Sequence, residues 1–375
     1  MKILPFAVEQ WMNAYETRCR YNLAETCVES LTLDQLLSLA GKRESILDEL
    51  LPLKLTYGAI EGSDRLRDAV AALYATRARH DVMIAHGAIG ANSLVYQALV
   101  EPGDHLVAIV PNYQQHYSIP ESIGARVDKL RLREEDRFMP DLDALRRLVT
   151  PRTKLISLSN PNNPTGSLLE RAQLEQIAAI ADAVGAYVLC DEVYRGTTQV
   201  GDELTPSIAD LYARGISTGS MSKAFSLAGL RLGWIVAPSE VLKAAEVHRD
   251  YNTISVGMLD DYLAAIALEH SDQILARSRS VVRTNLAVVD RWVNTESAVS
   301  YIRPRAGTTA LLKYAAPVSS RDFCVRLLDS TGVLFTPGSA LDMEGYVRLG
   351  YANNLRAIET GLELVSGFLR TLAAA

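Results

Sequence analysis

Lys223 lies in the stretch Ser220-Met221-Ser222-Lys223-Ala224-Phe225-Ser226-Leu227-Ala228-Gly229-Leu230-Arg231-Leu232-Gly233, among small and apolar residues. A hydroxyl stands three positions before it and an arginine eight after. An amine in such a pocket can have its pKa lowered and attack an aldehyde carbon. Ser220 and Arg231 have the chemistry to hold an anion beside it. The same pattern also describes an ordinary surface lysine in a loop. Three further stretches carry polar groups at the ends of apolar runs. Ser159-Asn160-Pro161-Asn162-Asn163-Pro164-Thr165-Gly166 reads, taken alone, as a turn. Cys190-Asp191-Glu192-Val193-Tyr194-Arg195 closes a run with a carboxylate, which serves equally well as a helix cap. His86-Gly87-Ala88-Ile89-Gly90-Ala91-Asn92 is a small-residue loop opening a helix, whose amides can hold a phosphate, although many such turns hold nothing.

These stretches need a scaffold, and the apolar periodicity supplies one. Leu66, Ala69, Val70 and Leu73 predict a helix over 64–78, and a second helix runs from Asn92 to Val100 until Pro102-Gly103 stops it. Short apolar runs at 105–110, 154–159, 186–190 and 232–237 read as buried strands, with a helix over 169–184 between two of them. Helices joining such strands argue for an α/β fold, with a parallel or mixed sheet covered on both faces. Ligands of these sheets sit beyond the carboxyl ends of the strands, where the polar stretches fall. Two long helical patterns near 257–293 lead to strands at 308–314 and 345–349 and helices near 319–330 and 354–373. The expected division is an N-terminal segment (1–45) joined to a small C-terminal α+β domain (286–375), with a large domain (46–285) between them.

The chain has 375 residues, 48% hydrophobic and 22% charged, with 38 basic against 44 acidic side chains. A net charge of −6 offers no basic surface for a phosphate backbone or an anionic membrane, so neither partner is expected. No apolar run is long enough to span a bilayer. Glu9 and Glu16 interrupt the apolar N-terminus, and no small-residue cleavage site follows, which argues against a secretory signal. The four cysteines (19, 27, 190 and 324) form no CxxC pair and fit a reducing cytoplasm. The six histidines form no HxxxH or HxH pair, so no metal site is expected.

Taken in order and spacing, the four stretches resemble the fold-type-I pyridoxal-5′-phosphate (PLP) enzymes, specifically the class I/II aminotransferases. The resemblance runs from about Tyr57 to Arg348. It implies a large domain with a mostly parallel sheet and a smaller α+β domain. It also implies that Lys223 carries PLP and shuttles a proton, and that Asp191 pairs with the pyridine nitrogen and keeps the ring an electron sink. Asn163 and Tyr194 match the donors to the cofactor's phenolic oxygen, and Tyr113 the aromatic stacked on its ring. Gly87, Ala88, Ile89, Ser220, Ser222 and Arg231 match the phosphate site. Tyr57 matches a tyrosine that reaches the neighbouring subunit's phosphate, which implies a homodimer with shared sites. Arg348 matches the arginine that grips the substrate α-carboxylate, beside Asn163. The implied substrates are an L-amino acid and a 2-oxo acid.

The chain departs from the family pattern where relatives line the substrate side-chain pocket. Ile89 replaces a hydroxyl in the phosphate loop. Asn22 to Ser30 replaces a Gly-x-Pro-Asp-Phe-like segment, and Asp260-Asp261 replaces a glutamine. Glu25, Asp260 and Asp261 would suit a cationic side chain, and they also read as solvated or capping acids. Ala24-Glu25-Thr26 and Arg305-Ala306-Gly307-Thr308-Thr309 resemble the capreomycidine-synthase-like subgroup, which acts on arginine-derived amino acids. The expected activity is ping-pong amino transfer through Lys223. A lyase or cyclase acting on an arginine-like amino acid is the alternative. A PLP-binding regulatory module is disfavoured by the acidic charge and by the short stretch ahead of the pattern.

Overall fold

The structure is a computed structural model and describes residues 2–373. Its main sheet has seven strands in the spatial order Val82–Ala85, Gly233–Val236, Gly215–Ser220, Tyr187–Asp191, Thr153–Ser159, His105–Val110, Arg126–Arg131. Gly233–Val236 runs antiparallel to both neighbours, and the other pairings are parallel. Leu106, Ile156, Val188 and Ile216 are fully buried, as strands covered on both faces require. The register pairs Ser159 with Asp191 and Asp191 with Thr218, so the carboxyl ends of three strands meet in one place.

A second, four-stranded antiparallel sheet orders Thr336–Pro337, Tyr346–Gly350, Thr309–Tyr314 and Val299–Tyr301. Its core joins Phe323, Phe335, Leu349 and Phe368 to Trp11 and Leu23 from the N-terminal residues. The Trp11 indole donates to the Phe335 carbonyl at 2.9 Å, which fixes the N-terminal helix Ala7–Tyr15 to this layer. Leu36 packs instead with Leu66, Val70 and Met221 beside the main sheet. The helix Ser271–Thr295 contributes Ile274 and Leu275 to that cluster, and Val282, Leu286 and Val289 to the second one.

Several elements differ from the sequence pattern. The helix expected over 64–78 ends at Ala71. Beyond it the backbone amides of Ala75 and Thr76 donate to the Asp210 carboxylate, and the Arg77 guanidinium donates to the Ala209 carbonyl. These tertiary bonds take over from the helical ladder. The second helix begins at Gly87 rather than Asn92, so the presumed loop residues Ala88 and Ile89 form its first turn. Three strands of the main sheet were not expected from the sequence: Val82–Ala85 has an apolar run of only four residues, Arg126–Arg131 is a polar edge, and Gly215–Ser220 is built from small and hydroxyl residues.

Among the described residues, no helix is long and apolar enough to cross a membrane.

Candidate active site

Beyond the carboxyl ends of the parallel strands lies a cavity of about 330 Å³. Asp191 and Ser220 reach it from the last positions of their strands, Asn163, Tyr113 and Lys223 from the loops that follow strands, and Arg348 from the second sheet. Glu25, Ala88, Ile89, Tyr194, Ser222 and Arg231 line it as well.

The Asp191 carboxylate is held from beneath. Asn92 donates its side-chain amide to Oδ2 at 2.9 Å and accepts from the Thr218 hydroxyl at 2.7 Å. The Val193 amide donates to Oδ1 at 3.2 Å, and His116 Nε2, buried and without another partner, stands 3.8 Å away. Every contact holds the carboxylate in one orientation facing the cavity. Asn92 and His116 were not singled out from sequence. Asn92 closes the small-residue stretch, and its place one turn into the helix was the available signal.

Lys223 is half-buried, and its Nζ donates to the Thr26 hydroxyl at 2.6 Å and to the Cys27 sulfur at 3.4 Å. Sequence suggested that such a lysine would have a lowered pKa; the structure reverses this. Burial favours the neutral amine, but Cys27, Tyr194 and the Glu25 carboxylate outweigh it and raise the pKa. The Glu25 carboxyl is correspondingly held below its ordinary range. Burial opposes its ionisation, and Lys223 together with the amides of Cys27 and Thr26 prevails. Burial pushes the Cys27 thiol up to about 11. The expected consequence is that Glu25→Gln moves the Lys223 ionisation to lower pH. Competitive acetylation of the PLP-free protein across pH, read at Lys223 by mass spectrometry, measures the inflection; an unmoved inflection contradicts this pairing.

Arg348 is 3% exposed. Its guanidinium donates to Asn163 Oδ1 (3.3 Å), the Ala24 carbonyl (3.1 Å) and the Thr336 hydroxyl (3.1 Å), while Nε is buried with no partner. Burial lowers its pKa from the usual guanidinium value, against the opposing effect of Tyr194, Glu25, Tyr113 and Glu9. Asn163 in turn donates to the Tyr194 hydroxyl at 3.3 Å. An orphaned, cationic, fork-shaped donor on a cavity wall is a site for a carboxylate.

At the other end, Arg231 adopts a left-handed backbone (φ 47°), sparsely populated for a residue with a side chain. Its guanidinium contacts Ser222 Oγ at 3.4 Å and the Ala228 carbonyl at 3.0 Å. Gly87 has φ +63°, and a Cβ there would stand 3.1 Å from the Arg231 guanidinium; one on Gly233 would strike the Gly87–Ala88 backbone at 2.4 Å. These glycines let the first turn of the Gly87–Leu99 helix close on Arg231 beside Ser220 and Ser222. Helix amides, hydroxyls and one guanidinium then face the same space, as a phosphate requires. The donor set suits a ring-bearing phosphate with a basic nitrogen, for which Arg231 would hold the anion and Asp191 the nitrogen.

Three residues fall outside this assembly. Tyr57 is 74% exposed and does not line the cavity. Asp260 and Asp261, expected at the side-chain pocket, do not line it either. Asp261 is buried and accepts from the Ser63 amide at 2.8 Å and the Ser63 hydroxyl, bracing the start of the Asp64–Ala71 helix. Asp260 stands in the first turn of the Met258–Glu269 helix, where burial raises its pKa. In their place the N-terminal helix contributes Val8, Glu9 and Met12, followed by Glu16, none of which sequence had assigned to the site. Its signal was faint: acids recurring on one helical face of a segment weighed only for export.

The family model for aminotransferase class I and II matches residues 49–360. Capreomycidine synthase from Streptomyces vinaceus is 33% identical, over 99% of this chain and 95% of that protein. The crystal structure of a PLP-dependent aminotransferase from Streptococcus suis superposes with a TM-score of 0.96 at 43% identity, covering 99% of each chain. That of the PLP-dependent cyclase OrfR superposes with a TM-score of 0.91 at 27% identity, covering 99% of this chain and 98% of that one.

Proposed function

Since the chain belongs to the class I and II aminotransferases, PLP enzymes of fold type I, we propose that it transfers the amino group of an L-amino acid to a 2-oxo acid through Lys223. The observation that carries this is the meeting of Lys223, Asp191, Arg348 and Arg231 on one cavity. When bound, PLP supplies a carbonyl carbon for the amino group and a ring that accepts the electron pair released at Cα.

The chain's own groups do the rest. Arg231, Ser220, Ser222 and the amides of Gly87, Ala88 and Ile89 hold the phosphate, while Asp191 keeps a proton on the pyridine nitrogen. Tyr113 covers the ring face, and Asn163 with Tyr194 holds the ring oxygen. Arg348 clamps the substrate carboxylate and orients the Cα–H bond towards Lys223. The lysine amine, once neutral, takes that proton, its charged form being steadied by Glu25 and Thr26. In the second half-reaction Lys223 returns a proton to Cα of the acceptor; both substrates use the one carboxylate clamp at Arg348, so one oxo acid leaves before the other binds.

Tyr57 lies outside its own cavity, on a stretch of chain where Leu51, Leu55 and Ile60 are exposed as well. We assign Tyr57 to the phosphate site of a second copy, in a homodimer. A cytoplasmic setting belongs to the same proposal, supported by the four free cysteines.

A lyase or cyclase outcome is the alternative, and the near full-length likeness to capreomycidine synthase and to a PLP-dependent cyclase supports it. The fold and cofactor are common to both; the surrounding pocket selects which bond changes next. Product analysis with and without an added 2-oxo acid separates them. Amino transfer stops after a single turnover without an acceptor, whereas sustained turnover under that condition would replace it with the lyase or cyclase.

A further inference from the structure

Seven charged residues line the cavity: Lys223, Arg231 and Arg348 against Glu9, Glu16, Glu25 and Asp191. Five have tasks in the function proposed above, Glu25 as the counter-charge to Lys223. Glu9 and Glu16 have none. Position 9 lies in the helix Ala7–Tyr15, and position 16 begins the short turn that extends it. With Met12 between them, a spacing of seven puts both on the face turned to the cavity. Glu9 is half-buried, and one of its oxygens accepts from the Tyr113 hydroxyl at 2.5 Å. Glu16 is exposed, and one of its oxygens accepts from the Asn22 amide at 3.1 Å. Among the described residues no donor reaches the second oxygen of either, and neither forms an ion pair. At the same cavity Arg348 Nε, buried and unpartnered, fixes where an α-carboxylate binds.

We propose that Glu9 and Glu16 select a substrate whose side chain ends in a cation, a guanidinium or an ammonium group. The proposal rests on the amino-acid-directed PLP function above and names its substrate class. A ligand carboxylate on Arg348 leaves the side chain to face a wall that carries two free carboxylate oxygens. These attract a cation and repel the second carboxylate of a dicarboxylic amino acid, so the wall acts by rejection as well as attraction. Glu9 supplies the larger share, because its half-buried carboxylate is less screened by solvent than Glu16 at the exposed end.

L-arginine and L-citrulline have side chains of similar size, but citrulline ends in a neutral ureido group with an oxygen in place of one nitrogen, so the ratio of their kcat/KM values on the PLP-loaded enzyme reads the cation together with its N–H donors. The expected ratio favours arginine by about tenfold or more, as a charge-assisted hydrogen bond gives. It falls by about tenfold in Glu9→Gln and by less in Glu16→Gln, with the change in KM. Calorimetric binding of both amino acids to PLP-loaded Lys223→Ala gives the same preference without turnover. A wild-type ratio near one, or a ratio unmoved by both substitutions, overturns the proposal. If Glu9→Gln does not fold, the wild-type ratio and Glu16→Gln decide. If no amino acid of any charge perturbs the cofactor's absorbance, the PLP function itself fails, and the proposal with it.

Discussion

Lys223→Ala is expected to lower turnover by about four orders of magnitude, roughly 5–6 kcal/mol of barrier, because it removes both the nucleophile and the proton carrier at Cα. The loss is chemical rather than structural. The Lys223 amine bonds only to Thr26 and Cys27, and neither anchors a core cluster. The half-buried Glu25 carboxylate keeps the Thr26 and Cys27 amides when the ammonium is removed, so stability in chemical denaturation stays close to that of the unaltered protein. Arg231, Ser222 and Asp191 remain, and the variant still takes up PLP. Steady-state rates with PLP-loaded protein, alongside a denaturation curve, check both halves. A variant that folds and turns over at more than a tenth of the normal rate contradicts the role given to Lys223.

Arg348→Ala is expected to cost roughly 2–5 kcal/mol in kcat/KM, about 30- to 5000-fold, since a buried carboxylate would lose a charged, hydrogen-bonded partner. Arg348→Lys recovers only part of this, because an ammonium cannot reproduce the fork that now meets Asn163 and Ala24 while leaving Nε free. The sharper readout is discrimination between an amino acid and the amine lacking its carboxylate. The unaltered enzyme rejects the amine, whereas Arg348→Ala treats the two almost alike. Undiminished discrimination in Arg348→Ala would move the carboxylate site elsewhere.

The residues that line up at strand ends were legible because a buried parallel strand leaves a plain apolar run, and the polar groups after it have few places to go. Asp191 and Asn163 each follow such a run, Lys223 stands nine residues ahead of the run at 232–237, and the sheet register brings Asp191 beside Ser159. Gly215–Ser220 escaped notice because its buried positions are filled by Ser217, Thr218 and Gly219, whose small size admits Trp234 and Asn92. Asp260 and Asp261 were misplaced for a different reason. A carboxylate at a helix start looks the same in sequence whether it faces a ligand or caps a neighbouring helix, and Asp261 caps Ser63. Glu9 and Glu16 were hidden by distance along the chain. Only the folded layer that seats Trp11 against Phe335 swings their helix over a cavity built two hundred residues later.

Reduction of the PLP-loaded protein with borohydride, followed by peptide mapping, tests the central claim most directly. The prediction is a single phosphopyridoxyl group fixed to the side chain of Lys223, with no label in Lys223→Ala. A label on another lysine, or none on the unaltered protein, would contradict the assignment of this cavity.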